Sequence, residues 1–196
     1  MRPIDVVMLN VAHWIAGALL VFAGALTLRN AGRPPAQQVR PRAAAKVMLG
    51  LGLGLVILEI FDPMFHRATG GESDPMWLYH SIVGALAALA GGTELCRFRN
   101  PDAPRALALV FPLCWIGVGV VFLVHEQASE FLLFRHWAFA ITVTLVGVAK
   151  LIGELGGKIG WVKAWGVLSI LAGLQFIVYW EGAMEHPPDR ADHGGH

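Results

Sequence analysis

Six stretches of this chain are almost unbroken runs of apolar residues, and the polar residues gather between them. The runs cover roughly 4–28, 44–62, 77–95, 106–124, 133–152 and 162–180. A helix rising about 1.5 Å per residue needs about 20 apolar residues to cross the hydrocarbon core of a bilayer. The pattern therefore predicts an all-α, polytopic membrane protein: a six-helix transmembrane bundle over residues 1–184, followed by a polar tail, EHPPDRADHGGH, over 185–196. The stretch from Asp62 to Met76, with Pro63, Gly70, Gly71 and Pro75, reads as a loop.

Small residues punctuate the apolar runs. Gly17 and Gly24 share a face of the first helix, Gly50, Gly52 and Gly54 thin the second, and Gly84, Ala88 and Gly92 form a ladder on the third. Such residues let helix backbones approach closely where lipid removes the hydrophobic drive to associate. Pro112 is expected to kink the fourth helix.

Composition agrees with this pattern. The chain is 56% hydrophobic and 15% charged, whereas soluble domains carry about a quarter charged residues. The net charge of +1 gives no footprint for nucleic acid, yet the charge is strongly polarised along the chain. All Lys and Arg except Arg2, Arg67, Arg135 and Arg190 fall on one side of the expected bundle. By the positive-inside rule that side is cytoplasmic, so both termini are expected to be extracytoplasmic, in a membrane of the bacterial cytoplasmic type. The acidic residues other than Glu94, Asp102 and Glu154 lie outside, which the freer translocation of acids partly explains. On the inner side Lys150 and Glu154 read as a helix salt bridge. Trp77, Trp137 and Trp180 fit an outer interfacial belt, and Trp161 and Trp165 an inner one. Basic residues follow the first apolar run rather than precede it, so a retained helix is expected in place of a cleaved signal. Cys96 and Cys114 fall at different depths, which argues against a disulfide between them.

All eight histidines fall on the outer side: His13, His66, His80, His125, His136, His186, His193 and His196. Ionisable groups in a membrane helix are costly and default to a functional reading. His13 lies deepest, on the face of Gly17, Leu20 and Gly24, with Asn10 one turn away to hold its ring. His80 shares a stripe with Gly84, Ala87, Gly91 and Glu94, and Met76 sits four residues earlier. Glu59 is placed about one turn from the outer end of the second helix; His125 and Glu126 follow the fourth, and His136 opens the fifth. These six residues form the candidate metal site, with Glu181, Tyr179 and Gln175 as a further wall. Imidazole suits copper, zinc, iron and nickel, and a carboxylate completes or orients the shell. All the methionines except Met48 also lie outside, which favours copper, with zinc or iron as alternatives.

Each residue also has a blander reading. Snorkelling or capping serves for His125 and His136, a hydrogen-bonded core histidine for His13 and His80, and a wet helix end for Glu59. His66 and the tail histidines read as ordinary surface residues. No HExxH or CxxC spacing is present, so the signal is a constellation and not a motif.

Three segments carry a resemblance. MWLYHSIVGALAALAGGTEL, VFLVHEQASEFLLFRHWAFAITVTLVG and AHWIAGALLVFAG resemble segments of the transmembrane protein 45 family, in which helix-borne histidines lead into small residues. The match covers about a third of the chain. It departs where that family has a His-x-His pair, since His125 is followed by Glu126, and that family has more helices. The resemblance implies that His13, His80, His125 and His136 act as one site.

The expectation is thus an integral membrane metalloprotein with its site facing the extracytoplasmic side, serving copper handling or metal-dependent redox chemistry. Three alternatives are kept. One is a b-type cytochrome with two axial histidines on haem b. Another is a zinc-dependent membrane hydrolase, with Ser81 and Asp62 as helpers. The third is a non-catalytic subunit whose polar ring serves assembly with a membrane or extracytoplasmic protein partner.

Overall fold

A computed structural model describes residues 3–33, 42–68, 76–100, 102–124 and 130–179. They form six helices: α1 Pro3–Asn30, α2 Arg42–Ala68, α3 Met76–Arg99, α4 Ala106–Val124, α5 Glu130–Gly156 and α6 Ile159–Ile177. Five of the apolar runs are helical throughout, and the sixth is helical to Ile177. The helix α2 continues through Asp62 and Pro63, where the sequence pattern predicts a loop, and α5 begins earlier and ends later than its apolar run. Apolarity marks where a helix sits in its surroundings, whereas backbone hydrogen bonding carries the helix past that point. Among the described residues, four segments are long and apolar enough to cross a bilayer: Leu78–Arg99, Ala106–Val124, Leu133–Gly156 and Ile159–Ile177.

Each helix packs on its sequence neighbours, and α6 closes back onto α1. The most extensive pairs are α2 with α3, α1 with α6, and α4 with α5; α1 and α2 make the thinnest seam of the ring. Each of the three main pairs is antiparallel and interlocked through glycine. A Cβ on Gly17 would sit 2.6 Å from the carbonyl oxygen of Gly173, and one on Gly24 2.5 Å from that of Gly166. Gly91 approaches the Ala45 carbonyl at 2.8 Å in the same sense, and Gly147 that of Pro112 at 2.8 Å. Two glycines about two turns apart on each of α1 and α6 thus bring whole backbones into contact, the packing that dispersion and close approach require in lipid.

The small-residue faces expected on α2 and α3 need correction. Gly52 meets Gly84 and Ala88, but Gly50 and Gly54 face open space, and Gly91 rather than Gly92 makes the close contact on α3. Residues one or two apart on a helix point in different directions, so with Gly52 facing α3 both Gly50 and Gly54 turn away, and with Gly91 facing α2 Gly92 turns aside. At the other end of α5, Gly157 adopts φ +63° and donates to the Gly153 carbonyl at 2.9 Å. That left-handed residue stops the helix and turns the chain into α6.

The core runs along the bundle axis. Leu20, Val118, Phe122, Phe139, Ala140, Val143, Val146 and Ala172 form one buried cluster, and Ala90, Phe111 and Cys114 a smaller one. Outward faces carry large exposed apolar residues such as Ile57, Phe61, Leu89, Phe134, Ile141 and Leu174. A continuous apolar exterior of this kind suits lipid contact.

Candidate functional site

The core separates two polar regions, one at each end of the bundle. The histidine end is built from α1, α3 and α5, with α2 and α6 supporting. His13 lies on the α1 face that carries Gly17, Leu20 and Gly24, all three buried against the bundle. Its ring stacks on Phe176 at 5.5 Å between centroids and meets the edge of Tyr179 at 4.9 Å. Its Nδ1 is buried without a hydrogen-bond partner. Asn10, fully buried one turn away, therefore does not supply that nitrogen.

His136 lies six residues into α5, not at its opening, because the helix begins at Glu130. It is only 8% exposed, which removes the snorkelling reading. Its ring contacts Phe122 at 5.8 Å and Tyr179 at 5.6 Å. Tyr179 thus touches both imidazoles. His13, His136, Gln175, Phe176 and Tyr179 share the wall of a cavity of about 130 Å³, joined by Phe122 and Arg135. Gln175 Oε1 is also buried without a partner.

His80 and Glu59 meet across α2 and α3, with Nδ1 3.3 Å from the carboxylate Oε1 and both side chains mostly buried. Glu59 lies nine residues before the end of α2 rather than one turn, because the helix continues past its apolar run. His13 shares its cavity with His136, and the His80–Glu59 pair lies toward the same end of the antiparallel helices. Four of the expected residues, His13, Glu59, His80 and His136, therefore occupy one end of the bundle. His125 and Glu126 lie outside the described residues, as do Glu181 and the tail histidines. Among the described residues, no group of three His, Cys, Asp or Glu side chains stands close enough to hold a metal ion as placed.

The opposite end holds a network of which the sequence pattern shows only a helix salt bridge. Arg97 donates to Glu94 at 2.7 Å and to Glu154 at 3.3 Å, and Lys150 donates to Glu154 from one turn away. The Lys150 ammonium also lies 4.8 Å from the centre of the Trp165 ring. Arg97 and Glu154 connect α3 to α5, which are not adjacent in the ring. A contact between non-neighbouring helices has no local sequence signal, so only the i,i+4 half is legible in the chain. The network borders an open vestibule of about 1570 Å³ reached by all six helices.

The fold and composition define an all-helical protein of the integral membrane class. Comparison with protein-family models, curated proteins and solved structures finds no match, so the functional reading rests on the residues and their geometry.

Proposed function

We propose that this chain is a six-span integral membrane protein, with both termini extracytoplasmic, whose histidine end binds a transition metal, copper favoured over zinc or iron. The observation that carries the reading is the buried, partnerless Nδ1 of His13 beside the cavity that His13 shares with His136. An imidazole nitrogen held in a dry interior without a partner forfeits hydration, about 1–3 kcal/mol. A metal ion offers such a nitrogen a bond. Glu59 beside His80 Nδ1 supplies the carboxylate that commonly orients a ligating imidazole and raises its basicity.

Ring rotation at His13 and His136 would turn their nitrogens toward the cavity they share, and His125 and Glu126 complete the proposed ligand set. Tyr179, in contact with both rings, lines the same cavity. A bound copper ion would supply electron transfer or polarisation of a ligand; the protein supplies neutral imidazoles and a site walled by Phe122, Phe139 and Phe176 against water. Because the ligands must be deprotonated, affinity falls as the medium is made acidic. The resemblance to the transmembrane protein 45 family is proposed on the same histidines and supports treating them as one site. The cavity of about 130 Å³ is below the roughly 300 Å³ at which pockets for drug-sized ligands begin, which favours an ion over haem b.

Elemental analysis and a visible spectrum of the purified protein test the proposal, together with melting in the presence of Cu(II) or Zn(II). One metal per chain, or a melting temperature raised by added metal, is expected. Protein that holds no stoichiometric metal and melts unchanged with either ion overturns the reading.

A further inference from the structure

The vestibule at the opposite end has its own chemistry, independent of the metal reading. Among the described residues, four cations border it, Arg33, Arg97, Arg105 and Lys150, against two carboxylates, Glu94 and Glu154. The excess of positive charge selects an anion. Arg97 and Lys150 are held by the two carboxylates, while Arg105, exposed at the rim, makes no ion pair among the described residues. Deeper in, Trp165 forms part of the wall, and its indole N–H is buried with no acceptor. An indole N–H inside a protein usually finds a partner, so this one marks a place for an acceptor oxygen.

The volume, about 1570 Å³, exceeds the roughly 300–1,000 Å³ of ordinary small-molecule pockets. A free anion would occupy a small part of it. The walls also include Ala23 and Thr27 of α1 and Ala45 and Met48 of α2, the two sides of the thinnest seam in the ring. On its exposed faces α2 carries apolar side chains, Val47 and Leu53 among them. An apolar chain can thus run outward from the vestibule while its polar head stays within. Basic pockets between membrane helices on the Lys/Arg-rich side are where anionic headgroups bind.

We propose that this vestibule holds the anionic headgroup of a membrane lipid, with the lipid's chains leaving through the seam between α1 and α2. Arg105 meets the phosphate at the rim, Arg97 and Lys150 supply positive potential from the wall, and the Trp165 N–H donates to a headgroup oxygen.

Native mass spectrometry of the full chain in neutral detergent, titrated with phosphatidylglycerol and with phosphatidylcholine of identical chains, tests this. Phosphatidylglycerol should be retained about tenfold better, the value of one charge-assisted hydrogen bond. Arg105→Gln and Trp165→Phe should each lower its retention several-fold. Trp165→Phe breaks no hydrogen bond within the protein and keeps an aromatic ring beneath Lys150, so its melting temperature serves as the folding control. Equal retention of the two lipids, or retention of phosphatidylglycerol unchanged in both variants, overturns the proposal. Displacement of the lipid by millimolar inorganic phosphate overturns it as well, assigning the vestibule to a soluble anion.

Discussion

His80 Nδ1 and Glu59 Oε1 lie 3.3 Å apart and join α3 to α2 at the histidine end. Under the metal reading Glu59 acts on the ion through His80. Glu59→Gln should therefore weaken copper binding about 10–100-fold, the usual effect of removing a carboxylate behind a ligating imidazole. Melting of the metal-free protein should change little. Competition titration against a chromophoric chelator measures the affinity, and an unchanged value would show that the pair is structural only.

Much of this arrangement is legible in the sequence, and the exceptions have physical reasons. Gly17 and Gly24 are seven residues apart, so their face, and with it that of His13, follows from helical periodicity. Gly52 cannot be told from Gly50 and Gly54 by pattern, because choosing among them requires knowing where α3 lies. Glu59 and His136 lie farther from their helix ends than expected because hydropathy marks the apolar limits of a run, while α2 and α5 continue beyond them. Tyr179 between His13 and His136, and Arg97 on Glu154, depend on the order of helices around the ring, which no local pattern encodes.

The glycine contacts yield a paired prediction. A Cβ at position 24 meets the Gly166 carbonyl at 2.5 Å, whereas one at position 50 meets nothing within 4 Å. Gly24→Ala should push α1 from α6 and destabilise by about 1–3 kcal/mol, as overpacking does. Gly50→Ala should be neutral or stabilise by up to about 1 kcal/mol through helix propensity. Thermal melts in one detergent compare the two, and equal effects would refute the backbone interlock.

Arg97 bridges α3 and α5 with about a quarter of its side chain exposed. Its loss should fall between the roughly 1 kcal/mol of a surface pair and the 3–5 kcal/mol of breaking a buried one, so about 2 kcal/mol is expected for Arg97→Gln. Glu154→Gln should also destabilise, by leaving Lys150 and Arg97 without their shared carboxylate. The double variant should lose less than the sum of the singles, since its residues share one network. Strict additivity in chemical unfolding would mean that the bridge contributes nothing.

Orientation is open to a direct measurement at Cys96, which is exposed at the Lys/Arg-rich end, while Cys114 is buried in the core. A membrane-impermeant maleimide should label Cys96 in inside-out vesicles and leave it unmodified in right-side-out ones. Cys114 should react in neither until the protein is denatured. Labelling from the outer face would reverse the proposed topology and put the histidine end in the cytoplasm.

His13 offers the sharpest separation of function from stability. Its Nδ1 is buried and partnerless, so in the metal-free protein the imidazole carries an uncompensated desolvation cost of about 1–3 kcal/mol. His13→Leu removes that nitrogen and keeps an apolar side chain of similar bulk against Phe176 and Tyr179. Part of the gain is offset by the lost ring contacts, worth about 0.5–1.5 kcal/mol. The variant should therefore melt at or slightly above the temperature of the metal-free wild type, and it should lose the additional stabilisation that metal brings. A histidine kept for packing alone gives the opposite pattern: the variant melts lower without metal, and added copper raises both proteins equally or neither. Melting curves of the two proteins, each with and without copper, distinguish these outcomes in one experiment.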